Sequence, residues 1–290
     1  MSIPGEPLSG VRVMGILNVT PDSFSDGGRF LEPAAAIEHG RALLAEGADI
    51  VDVGGESTRP GAREVSAQEE LARVGPVIEA LAAERGRSGV VISVDTSKAS
   101  VAAAALEAGA SFVNDVTALR GDAGMVGVVA VSGAECCLMH MLGDPRTMQR
   151  DPRYQDVVSE VKSFLEERLA FAVGEGVREQ QVLLDPGIGF GKTVAHNLQL
   201  LARLDELVSI GRPIVVGTSR KSFLARLTTR PSEPHERLAG TLATSVLAFE
   251  RGASVLRVHD VAPAREALEV AAATLGGRWT ASSPPRNPTS

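Results

Sequence analysis

A junction that recurs along this chain limits what it can fold into more than any other feature. A helix-like run rich in Ala, Leu and Glu ends at Gly-Ala and leads straight into an apolar stretch at Gly47-Ala48, Gly109-Ala110, Gly133-Ala134 and Gly252-Ala253, with Gly176-Val177 as a variant. Glycine lacks the Cβ that penalises a left-handed residue, so it suits the position that closes a helix. A helix closed and followed at once by a strand, again and again, spells a βα repeat.

Strand-length apolar segments fit that repeat at residues 11–18, 49–54, 90–95, 111–115, 135–140, 181–185, 213–217 and 254–259. They are continuous apolar runs rather than alternating ones, as in strands covered on both faces. Helical patterns lie between them, at 66–84 with a Ser66/Glu69 capping box, at 157–174 and at 197–208. Eight such units in 290 residues predict an α/β fold, a single-domain (β/α)8 TIM barrel over residues 11–276. The alternative is an open doubly wound sheet, but the glycine-rich dinucleotide turn that should follow its first strand is missing. Residues 1–10 read as an N-terminal extension, and residues 277–290, with Pro284, Pro285 and Pro288, as a disordered tail.

Composition narrows the function. A net charge of −7 argues against a general nucleic-acid binder, so an anionic ligand would need a local cluster of cations. Cys136 and Cys137 are neighbours inside an apolar run, a poor geometry for a disulfide and unlike a metal set; they read as core residues of a reducing compartment. No apolar run reaches the ~18 residues of a membrane span, and no signal-peptide pattern opens the chain. The expectation is a cytoplasmic protein that meets no membrane.

A barrel gathers its C-terminal strand ends on one rim, where enzymes of this architecture place their sites. Here those ends are polar: Asn18, Asp52, Asp95, Asn114, His140, Asp185, and Arg257 with His259. Singly, an Asp or Asn after a strand is a helix cap or turn former. That nearly every strand ends this way is what points to a rim site. The stretch Asp-Pro-Gly-Ile-Gly-Phe-Gly-Lys-Thr at 185–193 invites a phosphate-loop reading, but that motif needs a glycine at Pro186.

Taken together and in order, Met14 to Gly28, Asp49 to Gly61, Ser93-Val94-Asp95-Thr96, Val113-Asn114-Asp115, Asp185 to Lys192, Ser219-Arg220-Lys221 and Arg257-Val258-His259 resemble the dihydropteroate synthase family. The likeness runs from Val13 to about Leu275. It implies a homodimeric, Mg2+-dependent transferase of folate biosynthesis and a sulfonamide target. Such an enzyme joins 6-hydroxymethyl-7,8-dihydropterin diphosphate to p-aminobenzoate and releases pyrophosphate and 7,8-dihydropteroate. Methyltransferases that share the barrel use the pterin pocket without a diphosphate clamp, and Ser57-Thr58-Arg59, Lys221 and His259 favour the synthase.

By the same resemblance, Asp95, Asn114, Asp185, Lys221 and Arg257 hold the pterin. A carboxylate has two acceptor oxygens for the amino group and ring N–H on the pterin edge. Asn18 is assigned to Mg2+ and the phosphates, and Thr58, Arg59, Arg257 and His259 to the diphosphate. Phe24, Pro60, Phe190, Lys221 and Ser222 would receive p-aminobenzoate, its carboxylate meeting a helix N-terminus at Ser222. Arg257, His259, Lys221 and Asn18 are the expected catalytic set. Lys192 is read as binding phosphate or solvent, His140 as either a rim or a packed residue, and Asp52 as positioning the second loop. His39 and His235 are expected to be solvated.

Overall fold

Every junction glycine adopts positive φ: 93° at Gly47, 109° at Gly109, 71° at Gly133, 97° at Gly176 and 94° at Gly252. The next residue's N–H then reaches back into the last turn, as from Ala48 to the Leu43 carbonyl (3.0 Å), Ala110 to Ala105 (3.0 Å) and Ala253 to Ala248 (2.9 Å). This bond satisfies a carbonyl that the helix end would otherwise leave open and turns the chain into the following strand.

The computed structural model describes residues 11–20, 33–57, 63–84, 89–144, 147–229 and 232–276. Strands β1 (Arg12–Asn18), β2 (Ile50–Gly54), β3 (Val91–Asp95), β4 (Phe112–Asp115), β5 (Glu135–Met139), β6 (Val182–Asp185), β7 (Val215–Val216) and β8 (Val255–Val258) match the expected segments to within two residues at each end. They form one parallel sheet in the order β6-β5-β4-β3-β2-β1-β8-β7. A parallel bridge between Leu184 and Ile214 joins the two ends of that order and closes the barrel.

Around it run α1 (Pro33–Ala45), α2 (Ala67–Glu84), α3 (Ala99–Glu107), α4 (Met125–Ser132), α5 (Val157–Gly174), α6 (Val194–Ala202), α7 (Leu204–Val208), α8 (Ser222–Ala225), α9 (Leu238–Glu250) and α10 (Val261–Gly276). The helix expected at 197–208 is two helices. It starts earlier, at Val194, because the Thr193 hydroxyl caps the His196 N–H (3.2 Å), and it breaks at Arg203, whose φ of −115° leaves the helical range. The capping box on α2 is half formed. Ser66 Oγ accepts the Glu69 N–H at 3.1 Å, but the Glu69 carboxylate turns to Arg63 and Arg73. The expected extension at 1–10 and tail at 277–290 lie outside the described residues.

Two apolar layers follow. The larger lies between sheet and helices and includes Val13, Leu17, Val51, Val53, Ile78 and Leu81. The smaller plugs the barrel itself: Met14, Ile50, Phe112, Cys137, Leu183, Val215 and Val255. Cys136 and Cys137 are both buried thiols, one in each layer. Among the described residues no helix is long and apolar enough to cross a membrane.

Candidate active site

The inner plug fixes where the site must be. Side chains on a strand alternate faces, so the residue two places after an inward one is also inward, one layer nearer the C-terminal mouth. Two places after Ile50, Phe112, Leu183 and Val255 stand Asp52, Asn114, Asp185 and Arg257. Register then levels the neighbouring strands, with Asn18 opposite Gly54, Gly54 opposite Asp95, and Asp95 opposite Asn114. Thus four strands in a row end at one height, three of them on a polar side chain and β2 on a glycine. A Cβ on Gly54 would sit 3.7 Å from both Asn18 Oδ1 and Asp95 Oδ2, so this bare position separates the amide from the acid.

Asp52 is the centre of the constellation. It is fully buried; its Oδ1 accepts the Ser93 hydroxyl at 2.6 Å, and its Oδ2 accepts both Arg257 Nε (2.6 Å) and Asn114 Nδ2 (2.9 Å). The second arm of the Arg257 guanidinium reaches Asp95 Oδ2 at 2.7 Å. A buried carboxylate is costly unless paired and hydrogen-bonded, and Asp52 meets both conditions. Asp52 therefore orients Arg257 and Asn114, and among the described residues none of its hydrogen bonds goes to the second loop, where the sequence suggested it would act. The pairing of β2 with its neighbours carries the signal for this, because it places Asp52 in the lumen one layer above Ile50.

The remaining acids are less compensated. Burial pushes the Asp95 carboxyl up to about 7, against the pull of Arg257. Burial also raises the pKa of Asp185, outweighing Lys221 and the Gly187 N–H that donates to Asp185 Oδ1 at 2.6 Å. Both carboxyls stand ready for donors on a ligand, whose arrival would supply the missing hydrogen bonds.

Cations close the opposite side. Lys221 donates to the Ile188 carbonyl and lies with Nζ 4.8 Å from the centre of the Phe190 ring. Burial lowers its pKa to about 8 despite nearby Asp185. At Gly217 a Cβ would stand 3.6 Å from Arg257 Cβ and 3.8 Å from Lys221 Nζ, so that glycine keeps the space between the two cations open. The His259 ring is fixed by Ser219, whose hydroxyl accepts the His259 backbone N–H (3.1 Å) and lies 2.9 Å from Nδ1. Ser219 is thus a supporting residue, quoted in the Ser219-Arg220-Lys221 motif but given no role there.

The structure brings Asn18, Asp95, Asn114, Asp185, Lys221, Arg257 and His259 to one mouth, with Phe190 beside Lys221. Ser222 is exposed and begins α8, a helix of only four residues. Phe24, Thr58, Arg59 and Pro60 lie outside the described residues. Lys192 is not solvated: it is 3% exposed and points inward at His140, which is packed rather than free on the rim. His39 and His235 are exposed. Among the described residues no group of three or more His, Cys, Asp or Glu could hold a metal.

A parallel barrel whose mouth sets buried acids and an amide against two cations is built to grip a flat, donor-rich heterocycle, the class of pterin-binding enzymes. A family model described as "Pterin binding enzyme" matches residues 14–259. Within that class the chain belongs to the dihydropteroate synthase family, being 48% identical over 271 residues to the dihydropteroate synthase of Escherichia coli K12, with 93% of this chain and 94% of that protein covered. Two solved structures from Xanthomonas albilineans agree. Its dihydropteroate synthase with 4-aminobenzoic acid superposes with a TM-score of 0.85 at 49% identity, covering 92% of this chain and 94% of that one. The complex with 7,8-dihydropteroate gives 0.83 at 47% identity, covering 92% and 95%.

Proposed function

We infer that this barrel condenses 6-hydroxymethyl-7,8-dihydropterin diphosphate with p-aminobenzoate, giving 7,8-dihydropteroate and pyrophosphate. The observation that carries the reading is the Arg257 guanidinium, held between Asp52 and Asp95 at the mouth of a barrel whose full-length relatives are synthases. The pterin edge presents an amino group and a ring N–H, and the under-satisfied carboxyls of Asp185 and Asp95 are their natural acceptors. Asn114, aimed by Asp52, serves the remaining polar edge, and Lys221 donates to ring acceptors. Arg257 lies against the ring face.

With the pterin so held, the diphosphate projects toward Asn18, Arg257 and His259. The bond between the exocyclic carbon and the diphosphate oxygen breaks first, and its electron pair leaves with pyrophosphate. Arg257 and His259 stabilise that departing charge, while the dihydropterin ring delocalises the cation left on the methylene. The neutral aryl amine then attacks the methylene carbon and loses a proton. The work of the protein is positioning and electrostatics, so no nucleophile–base pair is required.

The donor set also fits Mg2+. Asn18 offers one hard amide oxygen at the rim, and Mg2+ is characteristically held by one or two protein oxygens, substrate phosphates and water. Bound there, the ion would neutralise part of the diphosphate charge. For assembly, we propose that two copies pair through α9 and α10. Their outer groove is lined by Leu242, Val246, Ala267, Val270 and Leu275, and Val270 is 63% exposed. A charged residue at Val270 should shift a dimer to monomer in light scattering.

The deciding assay incubates the purified chain with the pterin diphosphate, p-aminobenzoate and Mg2+. Pyrophosphate and 7,8-dihydropteroate should accumulate together; a mixture that yields neither, where the Escherichia coli enzyme yields both, overturns the reading.

A further inference from the structure

Lys192 lies outside the chemistry above, yet it is among the most buried charged side chains described, at 3% exposure. Its three donors go to neutral acceptors: His140 Nδ1 at 2.8 Å, the Phe190 carbonyl at 2.9 Å and the His140 carbonyl at 3.4 Å. Burial depresses its pKa to about 7, with Asp185 opposing and Lys221 adding to the fall. Burial and the Lys192 charge drive His140 down to about 2, so its ring stays neutral and accepts.

The loop that carries Lys192 is folded back onto β5. Gly187, Gly189 and Gly191 have φ of 66°, 83° and 63°, and a Cβ on Gly187 would lie 1.9 Å from the His140 carbonyl oxygen. Tyr154 donates to the Gly191 carbonyl at 2.8 Å, and the His140 ring packs edge-on against Phe164, 4.8 Å between centres. On the other side of the same loop, Phe190 rests on Val116, Met139, Met141 and Met148, with the Lys221 ammonium above its ring. A leucine could fill the space of Lys192 with no charge to desolvate. What a leucine could not do is hold the Phe190 peptide in place.

We propose that Lys192, with His140 as its acceptor, is a positioning residue for the second substrate: by clamping the Phe190 carbonyl to the end of β5 it sets the Phe190 ring beneath Lys221, forming the platform on which a flat aryl amine lies. This rests on the synthase reading. The hydrogen bonds to Asp95 and Asp185 come from Arg257 and the Gly187 N–H, and Lys192 reaches the pterin pocket only through its charge near Asp185, so its loss falls more heavily on the second substrate than on the first.

The test is steady-state kinetics on the full chain with each substrate varied in turn. Lys192→Met should raise the KM for p-aminobenzoate about tenfold, the equivalent of one hydrogen bond to a charged group. The KM for the pterin diphosphate should rise by no more than about threefold, since only the charge near Asp185 is lost and every hydrogen bond to Asp95 and Asp185 remains. His140→Gln, whose amide oxygen can accept from Nζ, should behave like the parent, and His140→Leu like Lys192→Met. A folded Lys192→Met whose p-aminobenzoate KM is unchanged, or whose two KM values rise by the same factor, overturns the inference. If Lys192→Met does not fold, the His140 pair decides, and His140→Leu indistinguishable from His140→Gln overturns it. A parent chain that forms no dihydropteroate defeats the functional reading, and this inference with it; an active parent with an indifferent Lys192→Met defeats this inference alone.

Discussion

The Asp52 carboxylate accepts Arg257 Nε at 2.6 Å across 205 residues of sequence, and the same oxygen accepts Asn114 Nδ2. One oxygen therefore aims both a cation and an amide at the barrel mouth. Asp52→Asn keeps the shape but removes the charge, and it forces one N–H against another donor. The KM for the pterin diphosphate should rise about tenfold to a hundredfold, the loss of roughly 1.5–3 kcal/mol for a charged hydrogen bond. Calorimetric titration with a pterin would check this independently of turnover; parent-like affinity would deny Asp52 its aiming role.

Asp95 supplies a pH test. Burial, only partly offset by Arg257, lifts its pKa from the ordinary carboxylate range to about 7, so the folded protein retains a proton that the unfolded chain has already released. For stability the sign is clear: between the unfolded value and about 7 this group favours the folded state as pH falls. Pterin binding runs the other way, because the protonated carboxyl loses acceptor capacity. Pterin affinity should weaken as pH drops below about 7, approaching tenfold per unit, while the ligand-free melting temperature gains from the same residue. Asp95→Asn should flatten the Asp95 share of both profiles, and a variant that keeps the parental slopes would move the titration elsewhere.

The same residues mark how far sequence reading reaches. The barrel was legible because a helix-closing glycine and an apolar run are local features, and five such glycines take the left-handed φ the pattern asks for. The rim acids were legible as strand ends. The hub role of Asp52 was not, since it depends on which strands lie across the lumen. Lys192 reads as a cation that binds phosphate or solvent after a glycine-rich stretch, and only the fold of that stretch onto His140 turns it inward. The break at Arg203 was hidden for a similar reason: the apolar periodicity of α6 continues through α7, while Arg203 itself leaves the helix and pairs with Asp156 and Glu206.

Gly187 is where backbone demand is greatest. Its φ of 66° and the 1.9 Å approach of a notional Cβ to the His140 carbonyl oxygen combine a left-handed penalty with a steric clash. Gly187→Ala should cost about 1–2 kcal/mol for the conformation and a further 1–3 kcal/mol for displaced backbone. Urea unfolding measures the sum, and a midpoint equal to the parent's would mean the loop relaxes freely. The same variant should lose pterin affinity, because the Gly187 N–H that holds Asp185 Oδ1 moves with it.

Behind the second loop, Lys98 Nζ sits 2.5 Å from both Glu56 Oε2 and Glu70 Oε2. Glu70 has no exposed surface, and its Oε1 is buried with no hydrogen-bond partner among the described residues. Glu56 Oε1 accepts the Val65 N–H at 3.0 Å, so Glu56 and Val65 are tied together beside that one cation. Lys98→Met strips that cation from a fully buried acid and should destabilise the fold by about 3–5 kcal/mol. Lys98→Met with Glu70→Leu removes the stranded charge as well, so most of the loss should return, because apolar packing can replace a buried ion pair at little net cost. Chemical denaturation of the two singles and the double closes the cycle. A double variant no more stable than Lys98→Met would mean that Glu70 is balanced by something other than Lys98.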